Sequence, residues 1–129
     1  WDDDEKFSLM FVLNVLKDIS RALYYLHYTV GLVHGDVYAH NIKVDKSTGR
    51  AYLLDLGASY APLESDRKEA ERLEVRAFGV LMGELLDRYD DDDDNSKEDG
   101  GAWNDLVSLK DQCLAVDVAL RPSFEDVVS

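Results

Sequence analysis

Apolar residues in the stretch FSLMFVLNVLKDISRALYYLHYTVG return at threes and fours: Leu9, Val12, Leu13, Leu16, Ile19, Leu23 and Leu26. Lys17, Asp18 and Arg21 fall elsewhere on the wheel, so the spacing predicts one long amphipathic helix. Gly31, just after the β-branched pair Thr29–Val30, is expected to end it. Tyr24, Tyr25 and Tyr28 read as packing residues with their hydroxyls at the rim. The pattern then shortens. LVHGD reads as a short strand opening into a loop, and NIKV as a second strand with Ile42 and Val44 on one face. DKSTGR reads as a turn and AYLLDL as a third strand, so the last two strands form a hairpin.

Helical spacing resumes near Ser65. SDRKE offers a cap and first-turn acids, and Leu73, Ala77, Val80, Leu81 and Leu85 follow at helical intervals. Residues 90–101 read as an acidic loop of low complexity. AWNDLVSLKDQCL predicts a short helix with Trp103, Leu106, Leu109, Cys113 and Leu114 apolar. RPSFEDVVS predicts a last helix with Pro122 and Ser123 near its start. The expected fold class is mainly α with a few short β-strands.

Composition narrows the function classes. The chain has 129 residues, 46% of them hydrophobic, which is enough for a core in one domain or part of one. No apolar run approaches the roughly 18 residues a membrane span needs, and the acidic start WDDDEK does not read as a signal peptide. A first residue other than Met suggests an excised piece. Net charge is −13, but eleven of the 27 acids lie in residues 2–5, 90–94 and 98–99. Setting these aside with Lys6 and Lys97 leaves only −4, so the folded part is mildly acidic. No basic stripe offers itself to nucleic acid. Cys113 is the only cysteine, which excludes an intrachain disulfide and fits a reducing, cytoplasmic setting.

Candidate chemistry concentrates in GLVHGDVYAHNIKV and LLDLGAS, where the hairpin would carry Asp36, Asn41 and Asp55 to one neighbourhood. Taken singly, each has a plain role: Asp36 capping a turn, Asn41 holding a loop, Asp55 in turn chemistry before Gly57. Taken together, HGDVYAHN resembles the catalytic loop H-R-D-x-x-x-x-N of protein kinases, and DLG resembles their D-F-G. EVRAFGVLMGELL is similar to their central helix, and CLAVDVALRPSFEDVV to their closing segment. The four matches come in the right order and cover nearly the whole chain.

The resemblance is to the C-terminal lobe of a protein kinase: a long helix, a catalytic-loop hairpin, a central helix and two terminal helices. It implies ATP and Mg²⁺ as cofactors and a hydroxyl-bearing substrate, in that family a protein. Asp36 would orient and deprotonate the hydroxyl, with Asn41 beside it. Asn41 and Asp55 would hold the metal, and Lys43 and Asp55 would meet the nucleotide. His34 would pack beneath the loop, and Gly57 would allow an unusual backbone angle after Asp55. Glu74 would hold the loop by backbone hydrogen bonds. Arg121 would need a buried carboxylate, with Glu69 or Glu71 as candidates.

Departures from the pattern keep alternatives open. No Gly-rich phosphate loop, strand lysine or paired helix glutamate is present, so residues 1–129 read as an incomplete domain whose N-lobe comes from upstream sequence. The segment from Asp55 to Glu74 is short and lacks A-P-E; Gly35 replaces an arginine, Tyr38 a lysine or arginine, and Lys43 an apolar residue under the adenine. A catalytically weak or inactive pseudokinase interaction module is one alternative. A small-molecule kinase of the aminoglycoside-kinase type, which also carries HGD…N, is the other.

Overall fold

The structure, a computed structural model, describes residues 5–89 and 100–129. Helix α1 (Leu9–Tyr25) starts at Ser8, whose hydroxyl accepts the Phe11 N–H at 3.1 Å. Its inner stripe, Val12, Val15, Leu16, Ile19 and Leu23, is buried, as the periodicity requires. Leu13 and Leu26, on the edge of that stripe, are half-buried. Asp18 is not simply solvated: its carboxylate accepts the Ala51 N–H at 3.0 Å and ties α1 to the hairpin. Past Tyr25 the helix widens into a π-helical turn, Leu26–Val30. Gly31 closes it at φ +83°, its N–H donating to the Leu26 carbonyl at 2.7 Å. Tyr24 packs against the core, while Tyr25 and Tyr28 are exposed.

The sheet has two antiparallel strands, β1 (Ile42–Asp45) and β2 (Arg50–Leu53). Ile42 faces Leu53 and Lys43 faces Tyr52 across it. The pleat turns Ile42 and Ala51 inward and Lys43 and Tyr52 outward. The turn is held by Asp45, whose carboxylate accepts the Ser47 N–H at 2.9 Å, and by Gly49 at φ +75°. The strand expected in LVHGD is reduced to one bridge, in which Val33 and Tyr60 exchange backbone hydrogen bonds at 2.9 and 3.1 Å. Gly35, at φ +86°, turns the chain out of the extended conformation before a second pair can form.

A 3₁₀ turn, Glu64–Asp66, leads into α2 (Arg67–Asp87). The side-chain cap expected from SDRKE is not made there. The buried face of α2 runs through Glu71, Glu74, Val75, Phe78, Met82 and Leu85. That choice corrects two expectations: Leu73 and Val80, counted with the core, are exposed. Anchoring Glu74 inward sends positions 73 and 80, seven residues apart and so on one face, outward.

The acidic residues 90–99 lie outside the described residues, and Gly100 and Gly101, read as the end of that loop, open α3 (Gly100–Cys113). Helices α2 and α3 meet closely at Gly79, where a Cβ would come within 2.8 Å of the Cys113 Cβ. Cys113 is fully buried, and that burial pushes its thiol up to about 11, so it stays protonated at neutral pH. A 3₁₀ turn, Val118–Leu120, precedes α4 (Phe124–Val128), which begins with a capping box between Ser123 and Asp126. Phe124 is wholly buried beneath α1 and α2, edge-on to Phe78 at 6.1 Å between ring centroids. The chain is thus mainly helical with one small antiparallel sheet. Among the described residues no helix is long and apolar enough to cross a membrane.

Candidate functional site

The segment His34–Asn41 is irregular backbone beside a packed core, so its polar groups must find partners. They do so through three side chains. His34 is fully buried and bridges two backbone groups: Nδ1 accepts the Asp36 N–H at 3.1 Å, and Nε2–H donates to the Leu54 carbonyl at 2.8 Å. An amide N–H can only donate and a carbonyl can only accept, so these two bonds fix the imidazole tautomer. Asn41 closes the loop from the other end. Its Nδ2 donates to the Asp36 carbonyl at 2.8 Å and to the Asp36 carboxylate at 2.9 Å, and its own carbonyl accepts the Leu54 N–H at 2.7 Å. Leu54 is therefore gripped on both backbone groups, N–H by Asn41 and C=O by His34. That grip sets the position of the next residue, Asp55.

Glu74 reaches the loop from α2, as expected. Its Oε1 accepts the His34 N–H at 2.9 Å and its Oε2 the Gly35 N–H at 2.8 Å. His27, in the π-helical turn that follows α1, adds a third bond from Nε2–H to Oε1 at 2.8 Å. Burial, the largest influence on this carboxyl, pushes it up; the bonds from His27, Gly35 and His34 outweigh burial and hold it below its ordinary value near 4.5. One buried carboxylate thus joins α2, the loop and the turn that follows α1.

What this leaves to solvent is selective. Asp36 keeps about 44% of its side chain exposed. Asp55 is exposed at φ +59°, the single non-glycine residue in the left-handed region among those described. The unusual angle expected at Gly57 is therefore found at Asp55 itself. The Asp55 carboxylate accepts the Gly57 N–H at 3.0 Å, a local bond of the kind that lets Asp tolerate this region. Gly57 still has a reason to be small, since a Cβ there would lie 3.0 Å from the Asp55 carboxylate. Asp36 and Asn41 are in direct contact, and Asp55 is joined to them through Leu54 rather than by a side-chain bond. Lys43 stands apart, on the outward face of β1.

Three groups at this site had no assigned role in the sequence reading. His27 is one; the available signal was a histidine on the last turns of an otherwise apolar helix face. Leu54 is the second, and nothing in its type marks a residue that acts through its backbone. His40 is the third: its Nε2 lies 3.8 Å from the Asp36 carboxylate, and its ring tilts against Tyr38 at 5.0 Å. Gly35 also gains a reason of its own. At φ +86°, a Cβ on it would lie 2.4 Å from the Ala58 carbonyl oxygen. Gly35→Ala is expected to cost at least about 2 kcal/mol, from the left-handed conformation and the clash together. Denaturant unfolding checks it; a loss below a few tenths of a kcal/mol would mean that the loop does not press on Ala58.

Arg121 is buried, but among the described residues it takes no carboxylate. Its Nε donates to the Ala115 carbonyl at 2.8 Å and its Nη1 to the Arg72 carbonyl at 3.2 Å. Glu71, a suggested partner, is instead drawn to Arg72 at 3.5 Å, and Glu69 is exposed at the start of α2. The cause is simple: two backbone carbonyls, one in α2 and one just past α3, take guanidinium N–H groups where a carboxylate was expected.

The chemistry open to the site is that of a half-exposed carboxylate on a rigid loop, with an amide beside it and a second, exposed carboxylate nearby. The Asn41 amide oxygen takes no part in the bonds to Asp36 and is a hard donor, as is Asp55. Among the described residues no three His, Cys, Asp or Glu side chains converge as a metal cage. No known family model matches the chain, and no curated protein matches it.

Proposed function

We propose that this chain is the helical lobe of a protein-kinase-like phosphotransferase, moving the γ-phosphate of ATP to a hydroxyl group, with a protein as the substrate class. One observation carries the reading: two backbone bonds to Leu54 couple the loop bearing Asp36 and Asn41 to the strand end bearing Asp55. Phosphoryl transfer asks for positioning and charge neutralisation more than covalent help. Asp36 would orient an incoming hydroxyl and take its proton. Its remaining hydrogen bond, from Asn41, fixes the carboxylate plane.

Asn41 through its amide oxygen and Asp55 through its carboxylate would hold Mg²⁺. Two protein oxygens suit an ion that keeps waters and draws its other ligands from phosphate. Bound there, the ion would supply neutralisation of the phosphate charge. His34, Glu74 and His27 touch no reacting group and act by positioning the loop. The rest of the nucleotide cleft, including a lobe that covers ATP, would come from sequence preceding Trp1, and the reaction would belong to the cytoplasm.

A second reading, a binding module without turnover, is favoured by Lys43: an ammonium stands where the kinase pattern puts an apolar floor for the base. Nucleotide binding and transfer separate the two. With the sequence upstream of Trp1 attached, the protein is expected to bind ATP in a Mg²⁺-dependent manner. Asp55→Ala is expected to weaken that binding by tenfold or more. Equal Mg²⁺-dependent affinity in the variant would overturn the assignment of Asp55, and binding without any phosphate transfer would select the second reading.

A further inference from the structure

A cleft of about 580 Å³ opens between the segment leading into α1 and the hairpin, and Lys6, Lys43 and Lys46 all line it. Among the described residues Glu5 is the one carboxylate in its lining. Among the described residues none of these lysines is in an ion pair, in a chain with nearly twice as many acids as bases. Unpaired ammonium groups sharing a concave wall repel one another, and an anion between them relieves that repulsion.

A second observation points the same way. Ser8 and Phe11, the cap and first turn of α1, line the cleft too. The 17-residue helix therefore starts at this wall: Ser8 takes the Phe11 N–H, the Leu9 and Met10 amides have no intrahelical acceptor, and the first turn carries no acidic residue. The net charge of −13 does not by itself forbid an anion here, because charges beyond about 8–10 Å are largely screened in physiological salt; the acids at 2–5, next to Lys6 in sequence, oppose one and set the contrast the lysines must overcome.

We propose that this cleft binds the oligophosphate group of a phosphorylated small molecule, through Lys6, Lys43, Lys46 and the N-terminal amides of α1. Three separate ammoniums suit a chain of phosphates better than a single one, and Lys serves phosphate as a point charge without requiring planar geometry. The site lies on the hairpin rather than at Asp36 and Asp55, and it stands whether or not the chain transfers phosphate. It also gives Lys43 a role other than lying beneath an aromatic base. The oligophosphate could be free or the tail of a nucleotide.

Titration calorimetry on the full chain with sodium tripolyphosphate, and separately with ATP without Mg²⁺, tests this. Tripolyphosphate is expected to bind and to weaken as salt rises. Lys43→Gln/Lys46→Gln is expected to raise Kd at least tenfold, while Lys68→Gln, outside the cleft, leaves it unchanged. All three lysines are exposed, and circular dichroism confirms that the variants fold. ATP binding tighter than tripolyphosphate identifies a nucleotide tail, and equal or weaker binding identifies free oligophosphate. No binding, or the same Kd in the lysine variants, overturns the proposal. So does loss of tripolyphosphate binding in Asp55→Ala, which would place the anion at the other centre.

Discussion

Glu74→Ala is expected to bring the chain close to unfolding at room temperature. The carboxylate accepts three hydrogen bonds, and the His34 N–H, His27 Nε2–H and Gly35 N–H lose their acceptor together. A buried donor left without a partner costs about 1–3 kcal/mol, so the total of about 3–9 kcal/mol for three rivals the roughly 5–15 kcal/mol that holds a domain folded. Glu74→Gln is expected to be milder yet still damaging. One amide oxygen remains to accept, but the NH₂ group faces a donor. Chemical denaturation of the three proteins gives the order wild type, Gln, Ala; an alanine variant within about 1 kcal/mol of wild type would show that water replaces the carboxylate easily. Acid should mimic the loss. The folded-state pKa of Glu74 is depressed, so its contribution is fully present above the ordinary carboxylate value near 4.5 and disappears as pH falls through the lower folded value. The wild type should therefore lose stability below about pH 4.5, and Glu74→Gln should lose less over the same interval. Parallel acid profiles for the two would assign the acid sensitivity to other groups.

Why some of this was legible in the sequence and some was not follows from where each constraint resides. The periodicity of α1 is a property of its own residues, so Val12, Leu16, Ile19 and Leu23 identified its buried face. The face of α2 was harder. Leu73 and Val80 fit the apolar spacing, but the inward anchor is a carboxylate, and a hydrophobic pattern cannot count Glu74 as interior. The strand expected in LVHGD failed for a related reason: the β-forming residues were present, but Gly35 sits at φ +86°, where a Cβ would meet the Ala58 carbonyl, more than twenty residues away. Gly57 and Asp55 exchanged roles because Asp can enter the left-handed region when its carboxylate bonds a following N–H. At the polar loop the sequence named Asp36, Asn41, His34 and Glu74, because each works through its side chain. It passed over Leu54, which works through its backbone, and His27, whose partner lies 47 positions downstream.

Asp36→Asn should separate chemistry from structure more sharply than any other single change. Under the proposed transfer reaction, replacing the carboxylate removes the group that accepts the hydroxyl proton, and general-base catalysis is worth about 10²–10⁴-fold. Phosphate transfer by the protein with its upstream lobe is therefore expected to fall by that factor. Folding should hardly notice. Asp36 is half-exposed, its N–H still donates to His34, and its carbonyl still accepts from Asn41. The new amide can also turn its oxygen toward Asn41 Nδ2, so the expected stability change is below about 1 kcal/mol. His34→Ala makes the opposite prediction. It touches no reacting group, but it frees the Leu54 carbonyl and the Asp36 N–H and opens a cavity in the core, costing about 2–4 kcal/mol. If Asp36→Asn unfolds the chain as readily as His34→Ala, Asp36 belongs to the scaffold, and its exposure to solvent has no catalytic meaning. If it leaves both folding and transfer intact, the proton goes elsewhere, and His40, 3.8 Å from the same carboxylate, is a group able to receive it.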